Sequence, residues 1–274
     1  INITLLNKAM LRQANDFYQE SMDLYEVLEK LSEEKLKTST LFKNWTFDDI
    51  IRHLHVWNVA INLSLLDSIK WKKLENNLKD FLKKGKKLKQ FEKEQSKKLK
   101  GRELLLIRKD FCITTRENFK YRNPKERIKW IGPDMSVISA VSARHMETWA
   151  HGQSVYDKLG IIRKSNDSIL NIVIIGNNTF KWSFKINNLE IPEKQPYLKL
   201  RAPSGKLWCF NDPDNKNIIE GSAEDFCKVV TQVRNILDVN LKVTGKTSKK
   251  WMSIAQCFAG KAEKPPMAGT RKIT

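Results

Sequence analysis

The spacing of apolar residues changes near Gly160, and this change constrains the fold more than any other feature of the sequence. Before it, apolar residues recur every three or four positions, which is typical of amphipathic helices. After it, short β-branched and aromatic runs alternate with polar residues, which is typical of half-buried strands. The sequence therefore predicts an α+β chain, with a helical domain over residues 1–165 and an antiparallel-sheet domain over residues 166–260. The remainder, 261–274, is predicted to be a disordered tail.

The helical spacing predicts four principal helices before the change of pattern. They run from about Leu5 to Leu31, from Thr46 to about Ile69, from Arg102 to Phe119, and from beyond Gly132-Pro133 to Leu159-Gly160. Helices of this number and length favour a bundle, in which functional side chains project inward from facing helices.

The second domain is predicted to begin with strands in the β-branched run Ile169–Ile175 and in the alternating run Phe180–Phe184. Further strands are predicted at Tyr197–Leu200, Leu207–Phe210, Ile218–Glu220 and Leu241–Val243. Helices are expected from the capping sequence at Gly221–Asp225 to about Leu237, and over Ser248–Ala259.

A candidate metal face lies in the fourth helix of the first domain. Glu147 and His151 are four residues apart, which places both side chains on one face of a helix, with Cβ atoms about 5–6 Å apart. A carboxylate and an imidazole so placed can bind one divalent ion. The same spacing also fits a hydrogen-bonded pair at the surface.

The other histidines strengthen the metal hypothesis. The chain has four, in two short segments: His53, His55, His145 and His151. His53 and His55 are about 200° apart on a helix, so they cannot both face one ion. One histidine from that helix, together with Glu147 and His151, makes three protein ligands and leaves positions open for water or substrate, as in catalytic zinc sites.

The net charge of +19 admits two interpretations. A nucleic-acid or anionic-membrane partner is one; a composition rich in Lys, Asn and Ile is the other. Most of the charge is lysine, which is poorer than arginine at bidentate recognition. We therefore expect no specific nucleic-acid partner, and expect the lysine-dense residues 70–100 to form a solvated face, with docking to an acidic partner as the alternative.

The sequence also bounds the location of the protein. No apolar run of 18 residues is present, so no membrane span is expected. The first residues lack the pattern of a signal peptide, and the four cysteines form no C-x-x-C pair. These features favour a cytoplasmic protein with reduced cysteines.

Several motifs resemble the DinB-like metal proteins and, within them, the branch of mycothiol-dependent maleylpyruvate isomerase. They are Trp45-Thr46 with a histidine eight residues beyond the Trp, and Met146–Gln153. Gly132–Ser136, Gly221–Phe226 and Ala255–Gly260 resemble motifs of an uncharacterised metal-binding family in that branch. The resemblance implies a four-helix-type bundle holding a divalent metal, zinc or alternatively nickel, followed by a sterol-carrier-like domain. It places the metal ligands at His53, Glu147 and His151, and none at His55 or His145.

The resemblance also implies a chemistry. The metal would bind a low-molecular-weight thiol, whose thiolate adds to a small electrophilic substrate in a transfer or isomerisation. Arg144 is predicted to hold a carboxylate of thiol or substrate, or else to orient Glu147. Asp49 is predicted to accept the free ring N–H of His53, or else to cap its helix. The alternatives are a metal-dependent hydrolase and a non-catalytic metal- or ligand-binding protein. In each case the protein is expected to be a monomer or a homodimer.

Overall fold

The computed structural model describes residues 10–272. Its backbone forms two compact units. One contains residues up to Lys37 together with Asp48–His145, and the other contains Thr38–Phe47 together with the residues from Met146 onward. The sequence predicts a boundary near residue 165, where the spacing of apolar residues changes. The structure instead divides the chain between His145 and Met146, inside a continuous helix.

The first unit is helical. Its elements are α1 (Arg12–Leu28), α2 (Phe47–Leu66), α3 (Ser68–Lys83), α4 (Leu88–Gln95), α5 (Gly101–Phe119), the short paired strands β1 (Arg127–Ile128) and β2 (Met135–Ser136), and the start of α6 (Val137–Leu159). Residues of α1, α2, α5 and the start of α6 share one apolar core, so these helices form the bundle that the sequence predicts. The part of the predicted first helix before residue 10 lies outside the described residues.

The lysine-dense segment is helical and covers a small core of its own. Trp71 and Leu78 of α3 and Phe91 of α4 are buried against Trp57 of α2. The Asp67 side chain accepts a hydrogen bond from the backbone N–H of Lys70 and so starts α3. The apolar face thus turns inward, while most of the lysines lie on the exposed face.

The second unit combines a mixed sheet with short helices. Its elements after α6 are α7 (Leu170–Asn178), α8 (Phe180–Ile186), β3 (Tyr197–Arg201), β4 (Leu207–Phe210), β5 (Ile218–Ser222), α9 (Ala223–Val230), β6 (Leu241–Thr244) and α10 (Lys246–Ile254). The strand order is β4-β3-β5-β6. The predicted α+β class is confirmed, but β3 and β5 pair in parallel, so the sheet is mixed rather than wholly antiparallel.

Two predicted strands are wrong, since Ile169–Ile175 and Phe180–Phe184 fall largely in α7 and α8. In α8 the buried residues are Phe180, Ser183 and Phe184, at the spacing of a helix rather than of a strand. The apolar run of α7 suits either state when read alone, because a short buried run carries no decisive period.

The C-terminal residues up to 272 have no helix or strand beyond α10, yet hydrogen bonds hold them. Gln232 donates to the carbonyl of Glu263 (2.9 Å), and Asn235 donates to that of Pro266 (2.8 Å). Arg271 donates to the carbonyl of Gln232 (2.7 Å). Hydrogen bonds to upstream residues therefore hold a segment for which its own composition indicates disorder. No helix within residues 10–272 is long and apolar enough to cross a membrane.

Candidate metal centre

Three side chains from α2 and α6 converge. Glu147 and His151 lie one turn apart on α6, with His151 Nε2 3.2 Å from Glu147 Oε2. A ligand atom of His53, from α2, joins them, and the three ligand atoms lie within 4.8 Å of one another. Within residues 10–272 these are the side chains that form a potential metal-binding group.

The donor set fits a first-row divalent ion. Bonds of about 2.0–2.2 Å to zinc place tetrahedral ligand atoms roughly 3.4 Å apart, so the observed spacing needs only small side-chain adjustments. Two imidazoles and one carboxylate suit zinc or nickel. Each of the three side chains retains some exposure, between 11% for His53 and 20% for Glu147, so solvent reaches the group.

A buried carboxylate holds His53 from behind. His53 Nδ1 lies 2.7 Å from Glu92 Oε1, and Trp57 Nε1 donates to the same oxygen at 2.8 Å. Because a carboxylate oxygen accepts rather than donates, His53 carries its proton on Nδ1 and presents the lone pair of Nε2. A hydrogen bond of this kind fixes the tautomer and orientation of a metal-binding histidine.

Glu92 therefore occupies the position that the sequence prediction assigned to Asp49. Asp49 forms ion pairs with Lys89 (2.5 Å) and Arg52 (3.5 Å). Sequence reasoning missed Glu92 because it lies among exposed lysines. The available signal was its place beside Phe91, on the apolar face of α4.

Two aromatic rings enclose His151. The Trp45 ring is stacked on the imidazole, with centroids 5.6 Å apart and planes 2° from parallel, and Phe42 meets it edge-on at 5.0 Å. A tight turn presents both rings, since the Trp45 N–H donates to the carbonyl of Phe42 and the Thr40 N–H to that of Trp45. The sequence motif included Trp45, but nothing in it indicated the stacking.

The thiol of Cys257 interacts electrostatically with Glu147, one of the three converging side chains. Burial raises the pKa of Cys257 well above its ordinary value, and the neighbouring carboxylate of Glu147 raises it further. Cys257 therefore stays a neutral thiol at neutral pH rather than a nucleophilic thiolate.

The remaining predicted residues are buried in the first unit. Arg144 is 4% exposed and donates from Nε to Asn58 Oδ1 at 3.1 Å. His145 is fully buried, with Nε2 3.9 Å from Glu20 Oε2. Burial and then the charge of Arg108 lower the pKa of His55 to about 4. Neither His55 nor His145 belongs to the metal-binding group.

Comparison with known proteins places this geometry in context. The family "Mycothiol maleylpyruvate isomerase N-terminal domain" matches residues 17–156. Two Mycobacterium tuberculosis proteins, the uncharacterized proteins MT0041 (strain CDC 1551 / Oshkosh) and Rv0036c (strain ATCC 25618 / H37Rv), are each 41% identical over 143 residues. That match covers 52% of this chain and 54% of each relative, so the chain spans about half the length of these curated relatives.

Solved structures show the same fold at low identity. The crystal structure of the mycothiol-dependent maleylpyruvate isomerase superposes with a TM-score of 0.51 at 12% identity, over 80% of this chain and 87% of that one. A histidine-to-alanine mutant of it gives the same TM-score and coverage at 11% identity.

Proposed function

Because the chain belongs to the mycothiol maleylpyruvate isomerase N-terminal domain family, we propose that it binds a divalent metal and catalyses a thiol-dependent transfer or isomerisation of a small electrophile. The observation that carries the proposal is the convergence of His53, Glu147 and His151 within 4.8 Å. Three protein ligands leave coordination positions open, which a catalytic site needs and a structural one does not.

The surrounding residues support a site built to hold its ligands still. Glu92 fixes the tautomer of His53, and Trp45 and Phe42 restrict the ring of His151. We propose zinc as the metal, with nickel as the alternative, since both accept imidazole and carboxylate ligands. A bound divalent metal would lower the pKa of a coordinated thiol and so supply a thiolate at neutral pH.

We propose that the thiol comes from outside the chain. Cys257, whose pKa Glu147 helps to raise, and the other buried cysteines, Cys112 and Cys227, are poor nucleophiles. The thiol is of low molecular weight, as the name of the related isomerase indicates for that enzyme. The substrate is a small electrophile, and a carboxylate on it is the group that Arg144 was predicted to hold. Since Arg144 is 4% exposed and donates to Asn58, we favour a structural role for it over the predicted contact with a substrate carboxylate.

The proposal is tested first by metal content. Purified chain should contain one equivalent of zinc or nickel by elemental analysis, and His53→Ala should lose it. His145→Gln is the matched control, because His145 lies on α6 beside the ligands but outside the group, and it should keep its metal. A full equivalent of metal in His53→Ala would refute the ligand assignment.

Thiol dependence is tested with the cobalt-substituted protein. Mycothiol or glutathione, added in turn, should produce a sulfur-to-cobalt charge-transfer band, and thiol-dependent turnover should follow in a panel of small electrophiles. Hydrolysis without thiol would instead indicate a metal-activated water. Metal binding with neither spectral change nor turnover would indicate a binding protein and would contradict the proposed chemistry.

A further inference from the structure

Arg108 is a buried cation on the inner face of α5. Its side chain has no exposed surface. Its three guanidinium nitrogens, Nε, Nη1 and Nη2, have no hydrogen-bond partner among residues 10–272. The guanidinium keeps its charge at every pH a protein meets, so it cannot escape burial by losing a proton. An unpaired buried charge is among the costliest features a core can contain.

The other buried arginines show that this is an exception. Arg52 is paired with Asp48 at 2.7 Å, Arg234 with Asp157 at 2.6 Å, and Arg144 donates to Asn58. Among residues 10–272, every other buried arginine therefore has an acceptor.

The buried acids of the same unit are engaged elsewhere. Glu20 lies 3.9 Å from His145, and Glu92 accepts from Trp57 and contacts His53. Residues 1–9 and 273–274, which the structure does not describe, contain no Asp or Glu. Neither of the two buried acids of this unit is therefore hydrogen-bonded to Arg108.

A second unsatisfied group lies beside Arg108. Helices α2 and α5 run side by side in the same direction, as three hydrogen bonds show: Gly101 N–H to Asp48, Asn58 to Cys112 and Asn62 to Thr115. This register places Arg108 at the level of His55, whose ring also meets Phe111 edge-on at 5.6 Å. His55 Nδ1 is buried and has no hydrogen-bond partner among the described residues.

We propose that Arg108 and His55 form a binding site for a small carboxylate anion. The planar guanidinium presents two parallel N–H groups that match the two oxygens of a carboxylate. His55, in the tautomer protonated at Nδ1, donates a further hydrogen bond. Leu104, Leu105 and Cys112 are buried with Arg108 on the same face of α5, so we expect only a small anion such as formate to fit beside it. His55 keeps 8% of its surface exposed, and we expect the anion to enter from that side. This site involves none of the proposed metal ligands and does not rest on the proposed function.

The test is anion-dependent stability of the full chain after removal of metal with a chelator. Formate is titrated in HEPES at constant ionic strength, and the midpoint of thermal unfolding is followed. We expect a saturable rise of a few degrees, because a ligand that binds only the folded state stabilises it by mass action. A shift of the ¹³C-formate NMR signal should saturate over the same concentrations.

Variants locate the response. Arg108→Met should abolish both the rise of the unfolding midpoint and the NMR shift. Arg108→Lys keeps the charge but lacks the two parallel N–H groups, so it should weaken formate binding at least tenfold. Lys109→Met is the matched control, because it removes one positive charge from the same turn of α5, and it should respond like the native protein. If Arg108→Met fails to fold, the NMR titrations of the native protein and of Arg108→Lys still show whether formate binds at Arg108.

Two outcomes would overturn the proposal. In the first, formate leaves the native midpoint unchanged, and Arg108→Met unfolds at a higher temperature in every buffer; Arg108 would then be a costly charge without a ligand. In the second, chloride stabilises as well as formate, which would show that no carboxylate is recognised.

Discussion

At the scale of single residues, the candidate centre depends on a carboxylate that is not one of the proposed ligands. Glu92 is 1% exposed and holds His53 through Nδ1. Glu92→Gln keeps an oxygen for Trp57 but removes the negative charge behind the imidazole. We expect zinc affinity to fall about 10–100-fold, as is typical when such an outer partner is lost. Competition with a chromophoric chelator measures it.

Glu94→Gln is the control for that change, since Glu94 lies on the exposed face of the same helix. It should bind zinc as the native chain does. Equal affinities for the two variants would mean that the hydrogen bond from His53 to Glu92 does not tune the site.

His55 should make the folded state sensitive to acid. Burial and Arg108 lower its pKa from 6.5 to about 4 in the folded protein. Between those two values the unfolded chain binds a proton that the folded chain does not. Stability is therefore fully present above pH 6.5 and is lost as the pH falls towards 4. From pH 7 to pH 5 this histidine should account for a loss of about 2 kcal/mol.

The measurement is urea unfolding of metal-stripped protein at pH 7 and pH 5, in buffers free of carboxylates. The His55→Gln variant has no titrating group at this position. Its loss of stability between pH 7 and pH 5 should therefore be smaller than that of the native protein by about 2 kcal/mol. An identical loss in both proteins would show that His55 takes up its proton in the folded state as readily as in the unfolded chain.

At the scale of elements, the sequence predicted long helices better than short ones. The helix holding Glu147 and His151 spans 23 residues, and its period is repeated often enough to be unambiguous. Helices α7 and α8 have 9 and 7 residues and are rich in Ile, Val, Phe and Trp. Those residue types favour strands, so local preference pointed the wrong way and only packing within the unit decides the state.

The same limit applies to the site. Glu147 and His151 follow from spacing within one helix, whereas Glu92, Trp45 and Phe42 reach the histidines from distant parts of the chain. A period describes which residues share a face, but it contains no information on which faces meet. The sequence pattern therefore could not indicate which residues contact His53 and His151 from other elements.

Close packing of α7 on α9 gives a test of the helical state. A Cβ added at Gly176 would lie 2.8 Å from a side-chain atom of Val230 and 3.0 Å from one of Phe226. In an exposed helix Gly→Ala stabilises by roughly 0.5–1 kcal/mol, but here overpacking should dominate. We expect Gly176→Ala to destabilise the chain by about 1–3 kcal/mol in urea unfolding.

Val230→Ala provides the control. It removes the Val230 methyl group that lies nearest to the added Cβ, at 2.8 Å, so Gly176→Ala should cost less in that background than in the native one. Additive effects of the two substitutions would indicate that α7 and α9 do not meet at these residues.

At the scale of the whole molecule, the net charge of +19 should give weak, unselective affinity for polyanions. The lysines of α3 and α4 are largely exposed. We expect two unrelated DNA duplexes to bind equally well at low salt and both to dissociate by about 0.2 M salt, because the binding energy comes from counterion release. Fluorescence anisotropy at several salt concentrations measures this.

Replacing Lys72, Lys73, Lys79 and Lys83 by Gln should reduce the slope of affinity against salt concentration without changing the preference between duplexes. A preference for one sequence that survives 0.2 M salt would contradict the expectation and would point to direct recognition of bases.

The division of the backbone has a consequence for how this protein can be taken apart. Thr38–Phe47 belongs to the second unit, although residues of the first unit precede and follow it. Each unit is therefore assembled from separate stretches of chain, and no single cut, whether by a protease or by a gene truncation, yields either unit whole. A piece ending near residue 165 would keep His53, Glu147 and His151 but would lose most of the second unit, to which Glu147 and His151 belong. Moving either unit intact into another protein would take two coordinated junctions, so we expect engineering to succeed with the whole chain rather than with either unit alone.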